Sequence, residues 1–241
     1  MTKIRADQLL VEQGLAESRT RAQALVLAGL VYHGDRRVEK SGQSFPADAL
    51  LTVKGRDHPW VSRGGVKLAH AIDHFGIDVT GKIAMDVGAS TGGFTDVLLT
   101  NGAAKVYAVD VGHGQLAWKL RSDSRVVVLE RTNARHLTEA EISDPVDLVV
   151  CDASFISLMK VLETPLALAR PDARLVALIK PQFEAGPGEV GKGGVVRDPA
   201  VHARVCDEVC RWLEEQGRPP IGVIESPIRG PEGNVEFLVS A

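Results

Sequence analysis

The chain has 241 residues, 44% hydrophobic and 24% charged, with a formal net charge of −3. This length suits one large domain or a medium domain with a small companion, and no apolar run reaches the roughly 18–20 residues of a membrane-spanning helix. Three cysteines without framework spacing, and an opening MTKIRADQLLVEQG without an apolar signal core, predict a cytoplasmic chain with no disulfide scaffold. The charge is uneven. Residues 1–64 hold ten Lys/Arg against seven Asp/Glu, and residues 65–241 hold eighteen against twenty-four, which predicts two modules with the basic one in front.

Residues 5–14 read as a short amphipathic helix stopped by Gly14. Ser18 is a suitable N-cap for a second helix, in which Ala22, Leu25, Val26 and Gly29 share one face and Arg19 and Arg21 fall off it. VYHGDRRV predicts a strand, a turn at Gly34-Asp35 and a strand carrying Arg36 and Arg37; LLTVKG at 50–55 predicts another strand. On the residues Arg5-Ala-Asp-Gln-Leu-Leu, Gly14-Leu15, Ser18-Arg19, Arg21-Ala22, Gly29-Leu30-Val31 and Gly34, this layout resembles the small alpha-L RNA-binding module of a ribosomal small-subunit protein. The resemblance implies RNA phosphate contacts from Arg5, Arg19, Arg21, Arg36 and Arg37, a use that suits the guanidinium fork.

The predicted domains are residues 1–58, a linker at 59–66 and a second domain at 67–241. After a helix opening at Lys67, short Val/Ile/Leu runs alternate with helical stretches: KIAMDVG, AKVYAVDVG, RVVVLE, VDLVVCD, ARLVALIK, PIGVIES and NVEFLVS are the strands. Only SPIRGPEG separates the last two, which predicts an antiparallel pair at the end of a mostly parallel sheet. The fold expected is α/β: a mostly parallel, seven-stranded, Rossmann-like domain, whose antiparallel ending resembles the class I methyltransferase pattern, behind a small α+β domain.

DVGASTGGFTD follows a strand and opens a helix, where ligands sit in open α/β sheets. It lacks the G-x-G-x-x-G spacing, and Asp110 ends the next strand, placed to accept from ribose hydroxyls. This pattern points to an adenosyl ligand and leaves NAD and S-adenosylmethionine both open. DVGASTGGFTD, AVDVGHGQL, ERTNAR, DLVVCDASFISL, LIKPQFE, GGVVRDP, GNVEF and WVSRGGVKL together resemble the TlyA-type ribosomal RNA 2′-O-methyltransferases, relatives of the FtsJ-like enzymes, from residue 3 to 240. The resemblance implies S-adenosylmethionine as cofactor. It places Gly88, Ser90, Thr91, Gly92, Gly93 and Thr95 along the methionine moiety, Asp110 on the ribose and Asn133 at the adenine. It implies a catalytic tetrad of Lys67, Asp152, Lys180 and Glu236, an RNA contact at Arg63, and cytidine in large-subunit RNA as target, with the small subunit a second candidate. Ribosomal subunits are then the partners, and neither a metal nor a membrane is expected.

The tetrad also stands on its residues. Asp152 and Lys180 end hydrophobic strands at the ligand-bearing edge, Glu236 is expected within the last strand, and a charge ending a buried strand is costly without a partner or a task. A ribose hydroxyl is a poor nucleophile, so its oxygen must be aligned with the methyl group and its proton removed or steered, with Lys180 as the candidate base. Two other readings compete: a ribosome assembly factor without chemistry, and a haemolysin, a label sometimes attached to this family.

GPGEVGKGG at 186–194 contains G-x-x-x-x-G-K, but Gly193 replaces the Ser or Thr of a P-loop and the next helix starts later, at Asp198-Pro199. The expectation is a mobile basic flap over the site, with Lys192 reaching RNA. His202, Cys206 and Cys210 recur every four residues on one helix, too far apart to share a metal, and are expected to pack.

Overall fold

The computed structural model describes residues 3–16, 18–53, 58–186 and 188–241. It has two compact units, Met1–Pro59 and Trp60–Ala241.

In the first unit, β1 (Lys3–Arg5) leads into α1 (Ala6–Glu12) and α2 (Arg19–Leu27), followed by β2 (Val31–His33), β3 (Arg36–Arg37), β4 (Ser44–Pro46) and β5 (Leu51–Val53). The Ser18 hydroxyl accepts from the Arg21 amide at 3.2 Å, the expected cap of α2. Strands β3-β2-β5 form an antiparallel ribbon, and Gly34 takes the left-handed conformation its turn requires. Leu9, Leu10, Ala22, Leu25, Val26 and Val31 fill the core. The antiparallel pair of β1 with β4 has no counterpart in the sequence reading. The predicted strand end at 54–55 lies outside the described residues.

In the second unit, α3 (Gly64–Phe75) precedes β6 (Ile83–Val87), α4 (Gly93–Thr100), β7 (Lys105–Val109), α5 (Trp118–Arg121), β8 (Val126–Leu129), β9 (Val146–Cys151), α6 (Leu158–Leu168), β10 (Ala169–Ile179), α7 (Pro181–Glu184), α8 (Pro199–Glu215), β11 (Gly222–Glu225) and β12 (Phe237–Ser240). The sheet order is β11-β12-β10-β9-β6-β7-β8; β12 runs antiparallel to both neighbours, as the short connection predicted. Among the described residues no helix is long and apolar enough to cross a membrane.

Residues 60–66, expected as linker, are part of this unit. The helix starts three residues early, at Gly64, and Gly65 lies against the Trp60 ring so closely that an added Cβ would sit 2.4 Å from it. Asp96 of α4 accepts from the Val61 amide at 2.8 Å and pairs with Lys119 at 2.9 Å, fastening the segment down.

Alternation along the strands divides the core. Met85, Val87, Val149, Cys151, Ile179 and Val239 face α6 and α8, while Ala84, Leu148, Val150, Leu178 and Leu238 face α3 and α4. The parity has a consequence at the strand ends.

Candidate active site

Continuing that alternation, Asp86, Asp152, Lys180 and Glu236 all fall on the α3/α4 face. Lys67, one turn into α3, meets them there. Its Nζ lies 2.7 Å from Glu236 Oε2 and 3.9 Å from Asp152 Oδ2, and Lys180 Nζ lies 2.6 Å from Asp152 Oδ1. Lys180 also donates to the Ser154 hydroxyl at 2.9 Å and the Asp152 carbonyl at 3.2 Å. The four charges form one unbroken chain, with Lys67, Lys180 and Glu236 buried and Asp152 half-buried. Buried ion pairs are a poor route to stability because desolvation offsets their attraction, so such a chain lining a cleft is a functional candidate.

Glu236 enters the site just before β12 rather than within it. The loop ahead of it is pressed onto its carboxylate: a Cβ on Gly230 would lie 2.1 Å from Glu236 Oε1. That oxygen is buried and accepts no hydrogen bond from the described residues.

The chain of charges lines a cleft of about 330 Å³ whose walls include Arg63, Gly88, Ser90, Phe94 and Arg229. A second pocket of about 410 Å³, lined by Asp110, Gln115, Asn133 and Ile156, adjoins it through Gly88, Ser90, Asp152 and Ser154. Both volumes fall in the range of small-ligand sites. Gly88 has φ +83, and a Cβ there would lie 2.9 Å from the Ala153 backbone, so only glycine keeps the turn against the next strand end. Asp110 accepts from the Ser90 amide at 2.7 Å and the Gly112 amide at 2.6 Å, which ties the glycine turn to the end of β7. Asn133 Oδ1 caps the following turn by accepting from the Arg135 amide at 3.1 Å. An acidic strand end, a side-chain-free turn and a polar far wall fit a nucleoside with a charged tail.

Gly88, Ser90, Thr91, Gly93, Asp110 and Asn133 line one pocket or the other. Gly92 and Thr95 do not. Gly92 faces the apolar side, where a Cβ would strike Leu120 and Leu116. Thr95 is fully buried beneath the turn, its hydroxyl donating to Asp86 Oδ2 at 2.6 Å and its amide at 2.9 Å. Glycines that pack and glycines that face a ligand are indistinguishable by letter, and a threonine two residues into a helix has two sides to choose from.

The sequence reading passed over Asp86, Ser154, Phe155 and Arg229. Burial pushes the Asp86 carboxyl up to about 7; the Thr95 hydrogen bonds oppose this, and the charges of Asp152 and Asp110 add to it. Phe155 is 90% exposed at φ +64, a strained conformation for an aromatic residue, on the lip of the second pocket. Its signal in the sequence was an aromatic immediately after a strand-ending Asp-Ala-Ser.

The 186–198 segment differs from the expected free flap. Helix α7 intervenes after Lys180, and Asn234 holds the far arm, donating to the Gly194 carbonyl at 3.0 Å and accepting from the Val196 amide at 3.2 Å. His202 is buried with Nε2 3.0 Å from the Val196 carbonyl, and Glu189 pairs with Arg204 at 2.6 Å. Lys192 is exposed. In the first unit, Arg5 and Arg19, both expected at RNA phosphates, pair with Asp7, at 3.0 and 3.2 Å, because that carboxylate is fully buried and needs donors. Arg36 and Arg37 are exposed and Arg21 is half-buried.

A seven-stranded sheet ending in an antiparallel strand, with a glycine turn after β6 and an acid after β7, defines the S-adenosylmethionine-dependent methyltransferase fold. The chain belongs to the FtsJ-like methyltransferase family, which matches residues 60–241, and carries an S4 domain matched over residues 4–45. It is 51% identical over 238 residues to the 16S/23S rRNA (cytidine-2'-O)-methyltransferase TlyA of Mycobacterium tuberculosis, covering 98% of this chain and 89% of that one. It is 40% identical to Hemolysin A of Brachyspira hyodysenteriae, over 98% of both chains. A chain from Streptococcus thermophilus solved under a hemolysin label superposes with TM-score 0.78 at 42% identity, over 100% of this chain and 88% of that one.

Proposed function

We propose that the chain methylates the 2′-hydroxyl of a cytidine ribose in ribosomal RNA, residues 67–241 carrying the chemistry and residues 1–58 gripping the RNA. The observation that carries this reading is the unbroken run Lys180–Asp152–Lys67–Glu236 at the junction of a nucleoside-sized pocket and an open polar cleft. The 51% identity to an rRNA (cytidine-2'-O)-methyltransferase supports the substrate class.

S-adenosylmethionine supplies, when bound, a methyl group activated by its sulfonium. Asp110 and Asn133 would hold its adenosine end, and Gly88, Ser90, Thr91 and Gly93 its amino-acid end. The ribose hydroxyl enters the 330 Å³ cleft, where Lys180 and Asp152 orient its oxygen toward the shared wall. Alignment of this kind removes much of the barrier before any proton moves. Lys180 as an ammonium steers the hydroxyl oxygen and, only in its neutral amine form, takes the hydroxyl proton, while Lys67 and Glu236 hold Asp152 in register from the α3 side. Arg63 on the cleft wall, with Arg21, Arg36, Arg37 and Lys192, meets phosphate groups. Arg5 and Arg19 still expose 48% and 57% of their side chains, so their outer edges stay accessible while Asp7 holds the inner ones.

The test is transfer of radiolabelled methyl from S-adenosylmethionine to unmodified large and small ribosomal subunits, with Lys180→Ala beside the wild type. Label on cytidine ribose, reduced about 10²–10⁴-fold in the variant, is the expected result, and the labelled subunit identifies the target. A chain that binds the cofactor and labels no RNA would instead be an rRNA-binding assembly factor.

A further inference from the structure

Three oxygens surround the Lys180 ammonium: Asp152 Oδ1 at 2.6 Å, the Ser154 hydroxyl at 2.9 Å and the Asp152 carbonyl at 3.2 Å. Two of them belong to one residue. A lysine head on a four-carbon stem, held only by Asp152, can still swing about that residue, and ordering it needs a contact from a different direction. Ser154 is that contact. It is also the one partner exposed to solvent, and it lines both pockets, at the wall the methyl group must cross.

The turn that delivers Ser154 is held from several sides. Phe155 takes φ +64, and backbone in that region persists only where its surroundings over-determine it. Here the surroundings come from α7, the four residues that follow Lys180. The Phe183 ring packs on Phe155 with centroids 5.2 Å apart, and Glu184 Oε1 accepts from the Leu158 amide at 2.6 Å. From the other side Gly88 brings the cofactor turn against the Ala153 backbone. Lys180, α7, the 153–157 turn and Ser154 therefore close a ring that returns to Lys180, with the cofactor turn resting on it.

We propose that Ser154 is a positioning residue for this reaction: its hydroxyl fixes the Lys180 ammonium at the boundary between donor pocket and acceptor cleft. The inference rests on the methyltransferase reading above. A substrate hydroxyl arriving from the cleft approaches the ammonium on the side where Ser154 sits, so the serine sets the distance at which the two meet.

The experiment compares wild type, Ser154→Ala and Ser154→Thr in methyl transfer to unmodified ribosomal subunits, and measures S-adenosylhomocysteine binding and thermal midpoint for each. The expected result for Ser154→Ala is a kcat lower by about ten- to a hundredfold, the range a small misplacement of a reacting group produces. KM for the subunit, cofactor-analogue affinity and thermal midpoint stay at wild-type values, and Ser154→Thr, which keeps the hydroxyl, recovers most of kcat. A role in packing alone would lower the midpoint or the affinity and would not be rescued by threonine. Wild-type kcat in Ser154→Ala overturns the proposal, as does a loss confined to KM or to cofactor-analogue affinity. A wild-type protein that labels no RNA sinks the methyltransferase reading itself, a different result from an active wild type with an unimpaired alanine variant.

Discussion

Each unit buries an acid among cations, and the two arrangements differ in what they leave open. Asp7 in the first unit is fully buried and takes hydrogen bonds from Arg5, Arg19 and Gln23. The Arg5 guanidinium, ahead of the others, holds its carboxyl well below the usual range. Its cations keep their outer edges in solvent, so the pairing is a clamp between β1, α1 and α2. In the second unit the cations are buried as well, a carboxylate oxygen of Glu236 has no donor among the described residues, and a cleft opens beside the chain of charges. A buried charge with every valence filled holds a fold together; a chain of buried charges beside an open cleft is placed to meet a ligand.

The contrast sharpens most with pH. Asp86 is raised from 3.8 to about 7, chiefly by burial, so between those values only the unfolded chain gives up the proton and stability falls as pH rises. The loss reaches about 4 kcal/mol, and Asp86→Asn should remove the slope in urea titrations run from pH 4 to 8. Asp7 works in the opposite direction: its contribution is present above the ordinary carboxylate range and disappears as pH falls through its depressed value, so Asp7→Asn should flatten the acid limb instead. Equal slopes in both variants and wild type would erase the distinction between the two units.

Gly230→Ala breaks the second arrangement without removing a charge. The new methyl group would land on Glu236 Oε1, forcing the carboxylate off Lys67. Methyl transfer should fall about a hundredfold, with cofactor affinity unchanged; retained activity would show that the position of Glu236 is unimportant. The smallest effect concerns Phe155. Phe155→Gly relieves the positive φ but gives up the Phe183 ring contact and adds backbone freedom. Stability, read from the thermal midpoint, should therefore change by no more than about 1 kcal/mol, while transfer to ribosomal subunits drops. A fully active variant would mean that the strain serves no function.

The seven strands, the antiparallel last pair and the positions of Asp152 and Lys180 were legible because hydrophobic runs ended in charges, and such a run reports both a strand and its exit edge. Lys67, inside a helix, and Glu236, ahead of a strand, were reached through the family resemblance instead. Asp7 was not legible, since an acid near the start of a short amphipathic helix reads as exposed until β4, some forty residues on, closes over β1. Asp86 was hidden by its own strand: the glycine that follows drew attention to the turn and away from the carboxyl beneath it. Ser154 and Phe155 depend on a left-handed turn that no propensity favours for phenylalanine. The ties on the far arm of the 188–198 segment were not legible, because the loop's glycines signal freedom and the partners, Asn234 and His202, come later in the chain.

Side-chain parity along the strands makes the site sensitive to counting. Asp86, Asp152, Lys180 and Glu236 share a face because each stands an even number of residues from an inward-packed neighbour: Ala84, Val150, Leu178 and Leu238. One residue inserted within β9 or β10 would send a charge into the apolar layer under α6 and α8 and swing its partners out of reach. Two residues inserted would restore the face but carry the charge about 6–7 Å along the strand, beyond the reach of partners now 2.6–3.9 Å away. Strand parity sets the face of each charge and strand length sets its depth, and the site needs both.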